Sequence, residues 1–216
     1  MTEQNFSEMR RAMVASQLRT TGVDDARVIA AMGEVQRERF VPADRVAVAY
    51  ADAPVPLGDG RGLNPPMTLG KLLSELRPQA GESALVVGAA TGYAAAILAR
   101  LAGRIVAVED DAALAAAARE KLSGSGVELV EAPLAEGHAA GAPYDLILVD
   151  GAVEHIPDAL IAQLADGGRL AAAILDDGVA RLSIGRRGGA GFGMAAFADA
   201  AAAILPGFAR PRVFTF

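Results

Sequence analysis

The chain has no cysteine and no tryptophan, two histidines (His138 and His155) and 5% aromatic residues in a length of 216. Without cysteine there is neither a disulfide nor a thiolate metal site, and two histidines cannot build a His-rich centre on their own, so no metal is expected. Positive charge is also scarce: 20 Lys and Arg stand against 26 Asp and Glu, for a net charge of −6 and a pI near 5.0. A sequence-independent grip on nucleic acid needs cations to displace counterions from phosphates, so no nucleic-acid partner is expected. Arg186-Arg187 and the pair Arg210 and Arg212 read as a solvated hairpin and tail. No apolar run reaches the roughly 18 to 20 residues of a membrane-spanning helix. Met1-Thr2-Glu3-Gln4-Asn5 has no basic stretch ahead of an apolar one, so no signal peptide is read and a cytoplasmic location is expected.

What the chain does have is apolar mass, 52% hydrophobic residues with a mean hydropathy of +0.30, enough to bury the core of one domain. We expect a single unit over 1–216, with helices and a long loop in 1–66, an α/β core in 67–178 and edge strands in 179–216. Residues 5 to 34 carry two helical patterns. The first has Met9, Met13, Val14 and Leu18 at helical spacing and stops at Thr20-Thr21-Gly22; the second runs from Asp24-Asp25 to Gly33. Between Phe40 and Pro66, five prolines and three glycines predict a long surface connection without regular structure. A helix follows from Thr68.

From there the pattern alternates: strand 84–88, helix 91–101, strand 104–109, helix 111–122, strands 127–131 and 145–150, helix 156–165 and strand 168–175. Alternation of this kind predicts a mostly parallel sheet with helices on both faces. Leu85-Val86-Val87, Ile105-Val106-Ala107-Val108 and Leu146-Ile147-Leu148-Val149 are continuous apolar runs, as strands buried on both sides require. Beyond Gly178, apolar alternation in 179–184 and 192–198 around Gly185-Arg186-Arg187-Gly188-Gly189-Ala190-Gly191 predicts an antiparallel edge hairpin.

In open α/β sheets, ligands bind outside the carboxyl ends of the strands. Gly88, Ala89, Ala90 and Gly92 form a small-residue turn at the end of the first of these strands, where a ligand can reach the backbone and face a helix N-terminus. Glu109 ends the next strand about 20 residues later, where a carboxylate can accept from both hydroxyls of a ribose, and Asp150 ends the fourth. The turn reads Gly88-x-x-x-Gly92 and not Gly-x-Gly-x-x-Gly, which favours a nucleoside without a pyrophosphate. Against this stands the plainer reading, a generic crossover with a solvated Glu cap; the joint spacing favours the nucleoside. Asp150-Gly151 is equally a good turn pair. His155 beside Glu154 is read as preceding a helix start at Ile156-Pro157 more readily than as an acid/base pair.

The chain resembles the protein-L-isoaspartate O-methyltransferases, a family dependent on S-adenosylmethionine. The resemblance runs from about Met9 to about Leu175. It rests on Met13-Val14-Ala15-Ser16-Gln17-Leu18-Arg19 with Gly22-Val23-Asp24-Asp25-Ala26-Arg27-Val28, on Arg39-Phe40-Val41-Pro42, Ala49-Tyr50-Ala51-Asp52 and Pro56-Leu57-Gly58, and on Thr91-Gly92-Tyr93, Val108-Glu109, Tyr144 to Val149 and Gly167-Gly168-Arg169-Leu170. It implies a Rossmann-like methyltransferase fold and S-adenosyl-L-methionine held by Gly88, Ala89, Ala90, Gly92, Tyr93, Glu109 and Asp150, with ribose on Glu109. It also implies repair of isoaspartyl residues in damaged proteins or peptides. Where the family has Ile-Ser-Gln-Pro, this chain has Leu63-Asn64-Pro65-Pro66, so Leu63, Asn64 and Pro66 are the substrate-contact positions and Asn64 takes the catalytic place of the hydroxyl. Three cofactor positions depart from the pattern: Val86 replaces an acidic residue, Ala90 a glycine and Pro133 the Asp that meets the adenine amino group. Two further readings stay open, methylation of another carboxylate substrate and a homologue that has lost its cofactor and works by binding protein.

Overall fold

The computed structural model describes residues 5–189 and 191–210; residues 1–4, Ala190 and 211–216, Arg212 among them, lie outside it. Helix α1 (Phe6–Ala12) starts where the Asn5 side chain accepts from the Glu8 N–H, and passes into a wider turn, Met13–Leu18, that buries Met13 and Leu18. Asp25 caps α2 (Ala26–Glu34), which buries Val28, Ala31 and Met32. Helix α3 (Pro66–Leu76) opens with proline in its first turn, where no N–H is needed, and turns Leu69, Leu72, Leu73 and Leu76 inward.

A seven-stranded sheet forms the centre. Its strands are β3 (Ser83–Val87), β4 (Arg104–Glu109), β5 (Glu128–Glu131), β6 (Tyr144–Val153), β7 (Leu164–Asp176), β8 (Val179–Gly188) and β9 (Gly191–Asp199), in the order β5-β4-β3-β6-β7-β8-β9. The first five run parallel, β8 is antiparallel to β7 and β9 to β8, so the mostly parallel sheet ends in an antiparallel edge. Because β3 is bordered by β4 on one side and β6 on the other, the strand order reverses there, and the crevice opens over the carboxyl ends of β3 and β6.

Alternate residues of each central strand serve two different cores. Ala84, Val86, Ile105, Ala107, Leu146 and Leu148 pack with α1 to α3 and with α4 (Tyr93–Leu98), while Leu85, Val87, Val106, Val108, Ile147 and Val149 pack on the other face with Leu160 of α6 (Asp158–Ala162). That is why these strands carry no polar face. Helix α5 (Ala112–Lys121), capped by the Asp111 carboxylate, contributes Ala118 to the first core. Among the described residues no helix is long and apolar enough to cross a membrane.

Three expectations are corrected. The connection 40–66 is not without regular structure: a small separate hairpin pairs β1 (Val55–Gly58) with β2 (Arg61–Leu63) around Asp59 (φ 46°) and Gly60 (φ 75°). Two successive positive φ values make the tight turn that Asp-Gly favours, and the prolines fall outside it. Strand β6 continues three residues beyond Asp150, since after a bulge β7 still pairs with it at Ala152 and Val153, and on its other side the segment after β9 joins it: Ala152 N–H donates to Ala203 O (2.7 Å) and Leu205 N–H to Ala152 O (2.9 Å). The C-terminal hairpin turns later than expected. Arg186 and Arg187 lie in β8, and Arg187 donates to the carbonyls of Ala162 and Leu164.

Candidate active site

Glu109 ends β4 beside the turn that follows β3, because the register Val87↔Val108 sets the two strand ends level. Its side chain is 0% exposed. The Ala90 N–H donates to Oε2 at 2.6 Å, and the N–H groups of Asp110 and Asp111 each reach Oε1 at 3.1 Å. The remaining partner is Arg61 of β2, whose Nη1 lies 2.5 Å from Oε1 and whose Nη2 lies 2.8 Å from Oε2, a two-pronged pair in which both members are buried. Burial alone would raise the Glu109 pKa. The Arg61 guanidinium and the N–H groups of Asp111 and Ala90 outweigh it and hold the carboxyl below its ordinary value. Asp110, 3.1 Å from Nη1 of the same arginine, is displaced upward by its own partial burial and by the neighbouring Glu109.

The turn itself is drawn tight. Gly88 (φ 80°) and Ala89 both donate to Val108 O, and Ala90 holds a positive φ of 49° that an alanine adopts only at a cost of about 1 kcal/mol. A side chain at Gly88 would stand 2.7 Å from the nearest methyl of Leu205, so Leu205 sits directly against the glycine backbone. Gly92 is required for packing as well, since Leu122 closes on it in the same way.

Asp150, in the interior of β6, is the second acidic group of the crevice and contrasts with Glu109. Among the described residues its one side-chain partner is the Asn64 amide, Nδ2 to Oδ1 at 2.7 Å. Burial pushes its carboxyl up to about 6, only partly offset by that hydrogen bond and by the charges of Arg37 and Arg61. Asn64 also accepts the Ala203 N–H on Oδ1 at 2.8 Å. It thereby ties β6, the junction of β2 with α3, and the C-terminal segment together. Leu63 and Pro66 on either side are buried in the same seam.

The other sequence-selected residues fall as follows. Tyr93 is wholly buried at the start of α4, edge-on to Phe40 (5.5 Å, 60°) and 4.8 Å beneath the Arg37 guanidinium, with its hydroxyl unpartnered among the described residues. Val86 is enclosed between Ala107 and Leu148, and Pro133 precedes a short turn at Leu134–Glu136. His155 meets Phe208 O through Nδ1 (3.0 Å), and His138 donates its backbone N–H to Gln163. Two arginines were not singled out by sequence reasoning. Arg37 is 0% exposed, donates to Ala49 O and to Asn64 O (2.7 Å), and has its charge disfavoured by burial. Arg61 had a signal: it is the lone basic residue between Pro54 and Pro66.

The family model described as protein-L-isoaspartate(D-aspartate) O-methyltransferase matches residues 9–195. A protein-L-isoaspartate O-methyltransferase of Methylorubrum populi is 46% identical over 164 residues, covering 74% of this chain and 77% of that protein. One from Methanoregula boonei is 43% identical over 167 residues, covering 76% and 77%. In structure, the chain is similar to a Plasmodium falciparum protein assigned to the same methyltransferase class and solved in complex with S-adenosyl-L-homocysteine, with a TM-score of 0.78 over 94% of this chain and 99% of that one. At 19% identity the last likeness speaks for the fold.

Proposed function

The chain belongs to the protein-L-isoaspartate O-methyltransferase family, and from that premise we propose that it transfers a methyl group from S-adenosyl-L-methionine to the carboxylate of L-isoaspartyl residues in damaged proteins, a repair activity. The observation that carries this reading is the match of the family model over 9–195 to a chain whose small-residue turn and buried Glu109 stand level at adjacent strand ends. Isoaspartyl-containing proteins are its proposed partners and the cytoplasm its proposed location.

The chemistry of the residues suits that cofactor. Glu109 has two acceptor oxygens for a ribose diol, and the turn from Gly88 to Gly92 exposes no side chain larger than threonine to a ligand. On the substrate side Leu63, Asn64 and Pro66 are proposed to meet the isoaspartyl group, with Asn64 placed by Arg37 from below and by Asp150 and Ala203 at its amide. Asn64 keeps one amide hydrogen beyond the one given to Asp150, which is the donor proposed for a carboxylate.

Space is another matter. Arg61 occupies both Glu109 oxygens, Leu205 lies on Gly88, and the turn's N–H groups at Gly88, Ala89 and Ala90 already have partners. As folded, the chain's own groups fill the cradle.

The test is transfer of labelled methyl from S-adenosyl-L-methionine to a pair of peptides identical but for isoaspartate or aspartate at one position. A base-labile ester on the isoaspartyl peptide alone is the expected result. Equal labelling of both, or of neither, rejects the proposal.

A further inference from the structure

The mismatch between a well-formed acceptor and a filled cradle points to a device built into the site. We propose that S-adenosyl-L-methionine competes with an internal latch, in which the Arg61 guanidinium stands in for the ribose on Glu109 while Leu205 covers the glycine turn, so that the cofactor binds only when hairpin and C-terminal segment lift away. The proposal rests on the methyltransferase reading of the site and adds its regulation.

The latch has two parts that meet each other. Arg61 lies at the start of β2, in a two-stranded hairpin that is not joined to the main sheet. Leu205 lies in the segment after β9, whose ladder pairing with β6 is one parallel bridge at Ala152, supplemented by Ala200 N–H to Ala180 O, the Thr68 hydroxyl to Ala201 O and His155 to Phe208 O. The parts touch each other: a side chain at Gly62 would lie 3.1 Å from the Ala203 methyl, and Asn64 accepts the Ala203 N–H from the end of the same hairpin. Moving one part therefore loosens the other.

The ion pair is of a kind that a ligand can replace without leaving a bare charge. Glu109 keeps three backbone N–H donors when Arg61 leaves, and a diol supplies the two donors that the guanidinium gave up. Arg61 in turn has somewhere to go. A cavity of about 340 Å³ on the solvent side of the latch is lined by Pro56, Asp59, Arg61, Ala203 and Ile204, and Ile204 is 61% exposed beside it. The guanidinium can swing into that hollow and stay hydrated, with Asp59 for company. Another cavity, of about 660 Å³ between the end of α3 and the β8–β9 hairpin, shares no residue with the site.

The experiment is calorimetric titration with S-adenosyl-L-homocysteine of the full chain and its Arg61→Ala and Arg61→Gln variants, alongside amide hydrogen exchange and the isoaspartyl peptide assay. The latch predicts at least a tenfold gain in affinity for Arg61→Ala and a smaller gain for Arg61→Gln, which keeps a donor to Glu109 without the charge. It also predicts that saturating ligand on the unaltered chain removes amide protection at 61–63 and 203–205. Unchanged or weaker binding by both variants overturns the latch; if the unaltered chain then binds and methylates normally, the methyltransferase reading survives it. No binding and no methylation by any of the three overturns both. Should Arg61→Ala fail to fold, Leu205→Ala, which uncovers the turn and leaves the ion pair intact, is expected to bind more tightly than the unaltered chain by a smaller factor than tenfold, and unchanged or weaker binding by it overturns the latch.

Discussion

Two buried carboxylates stand at the carboxyl edge of one sheet and meet opposite fates. Glu109, at the end of β4, has a guanidinium on both oxygens and three backbone N–H groups, and is held in its charged form. Asp150, in β6, has one neutral amide and is pushed up to about 6. Burial acts on both in the same direction. The difference is made by partners, and those partners, Arg61 and Asn64, sit three residues apart on one short segment. A single loop thus sets the charge of both acidic groups, which is why it controls the crevice.

That contrast can be broken most forcefully at Arg61. Arg61→Ala leaves Glu109 buried with a charge and no cation, and is expected to cost about 3 kcal/mol of stability in chemical denaturation. A loss no greater than that of an exposed ion pair would mean that the pair is not buried in solution. Next comes Asn64→Ala, which orphans the Asp150 carboxyl and the Ala203 N–H together; a loss of about 2 kcal/mol is expected, with turnover on an isoaspartyl peptide falling at least tenfold. Retained turnover would remove Asn64 from the substrate site.

The pH dependence sharpens the comparison at Asp150. Its folded value near 6 lies above its ordinary value of 3.8, so protonation favours the folded chain: the contribution is present at low pH and is lost as pH rises through 6. Between pH 7 and pH 5 the unaltered chain should therefore gain about 1.4 kcal/mol relative to Asp150→Asn. Glu109 has the opposite sign, adding stability that disappears only as pH falls below the ordinary carboxylate range. Denaturation curves of both proteins at the two pH values test this, and parallel shifts would refute the assignment. The smallest effect is expected from Ala90→Gly, where relief of the positive φ is set against the flexibility of glycine in the unfolded chain, for a net stabilisation of at most about 1 kcal/mol.

Much of the fold was legible because the residues that make it are local. Ile105 to Val108 and Leu146 to Val149 are apolar at every position, a pattern that serves a strand buried on both faces, and Asp25 and Asp111 announce the helices they cap. The turn from Gly88 to Gly92 and Glu109 could be read for the same reason, since parallel neighbours bring residues about 20 apart to one level. The hairpin β1–β2 was there to be read in Asp59-Gly60 but was masked by the surrounding prolines. What no local pattern encodes is the closure of the crevice. Arg61 meets Glu109 across 48 residues, and Ala203 meets Asn64 across 139. These contacts depend on how a hairpin outside the main sheet and a segment beyond its last strand come to rest on it. Tyr93 shows the converse, a residue chosen by its motif whose ring belongs to the Phe40 and Arg37 cluster.

The most direct measurement on the crevice is the structure of the complex with S-adenosyl-L-homocysteine. The expected result is the ribose on Glu109, with the Arg61 guanidinium withdrawn into the hollow beside Asp59 and Leu205 lifted from Gly88. The Arg61–Glu109 pair intact beside a bound ligand, or a cradle still closed at saturating ligand, would contradict it.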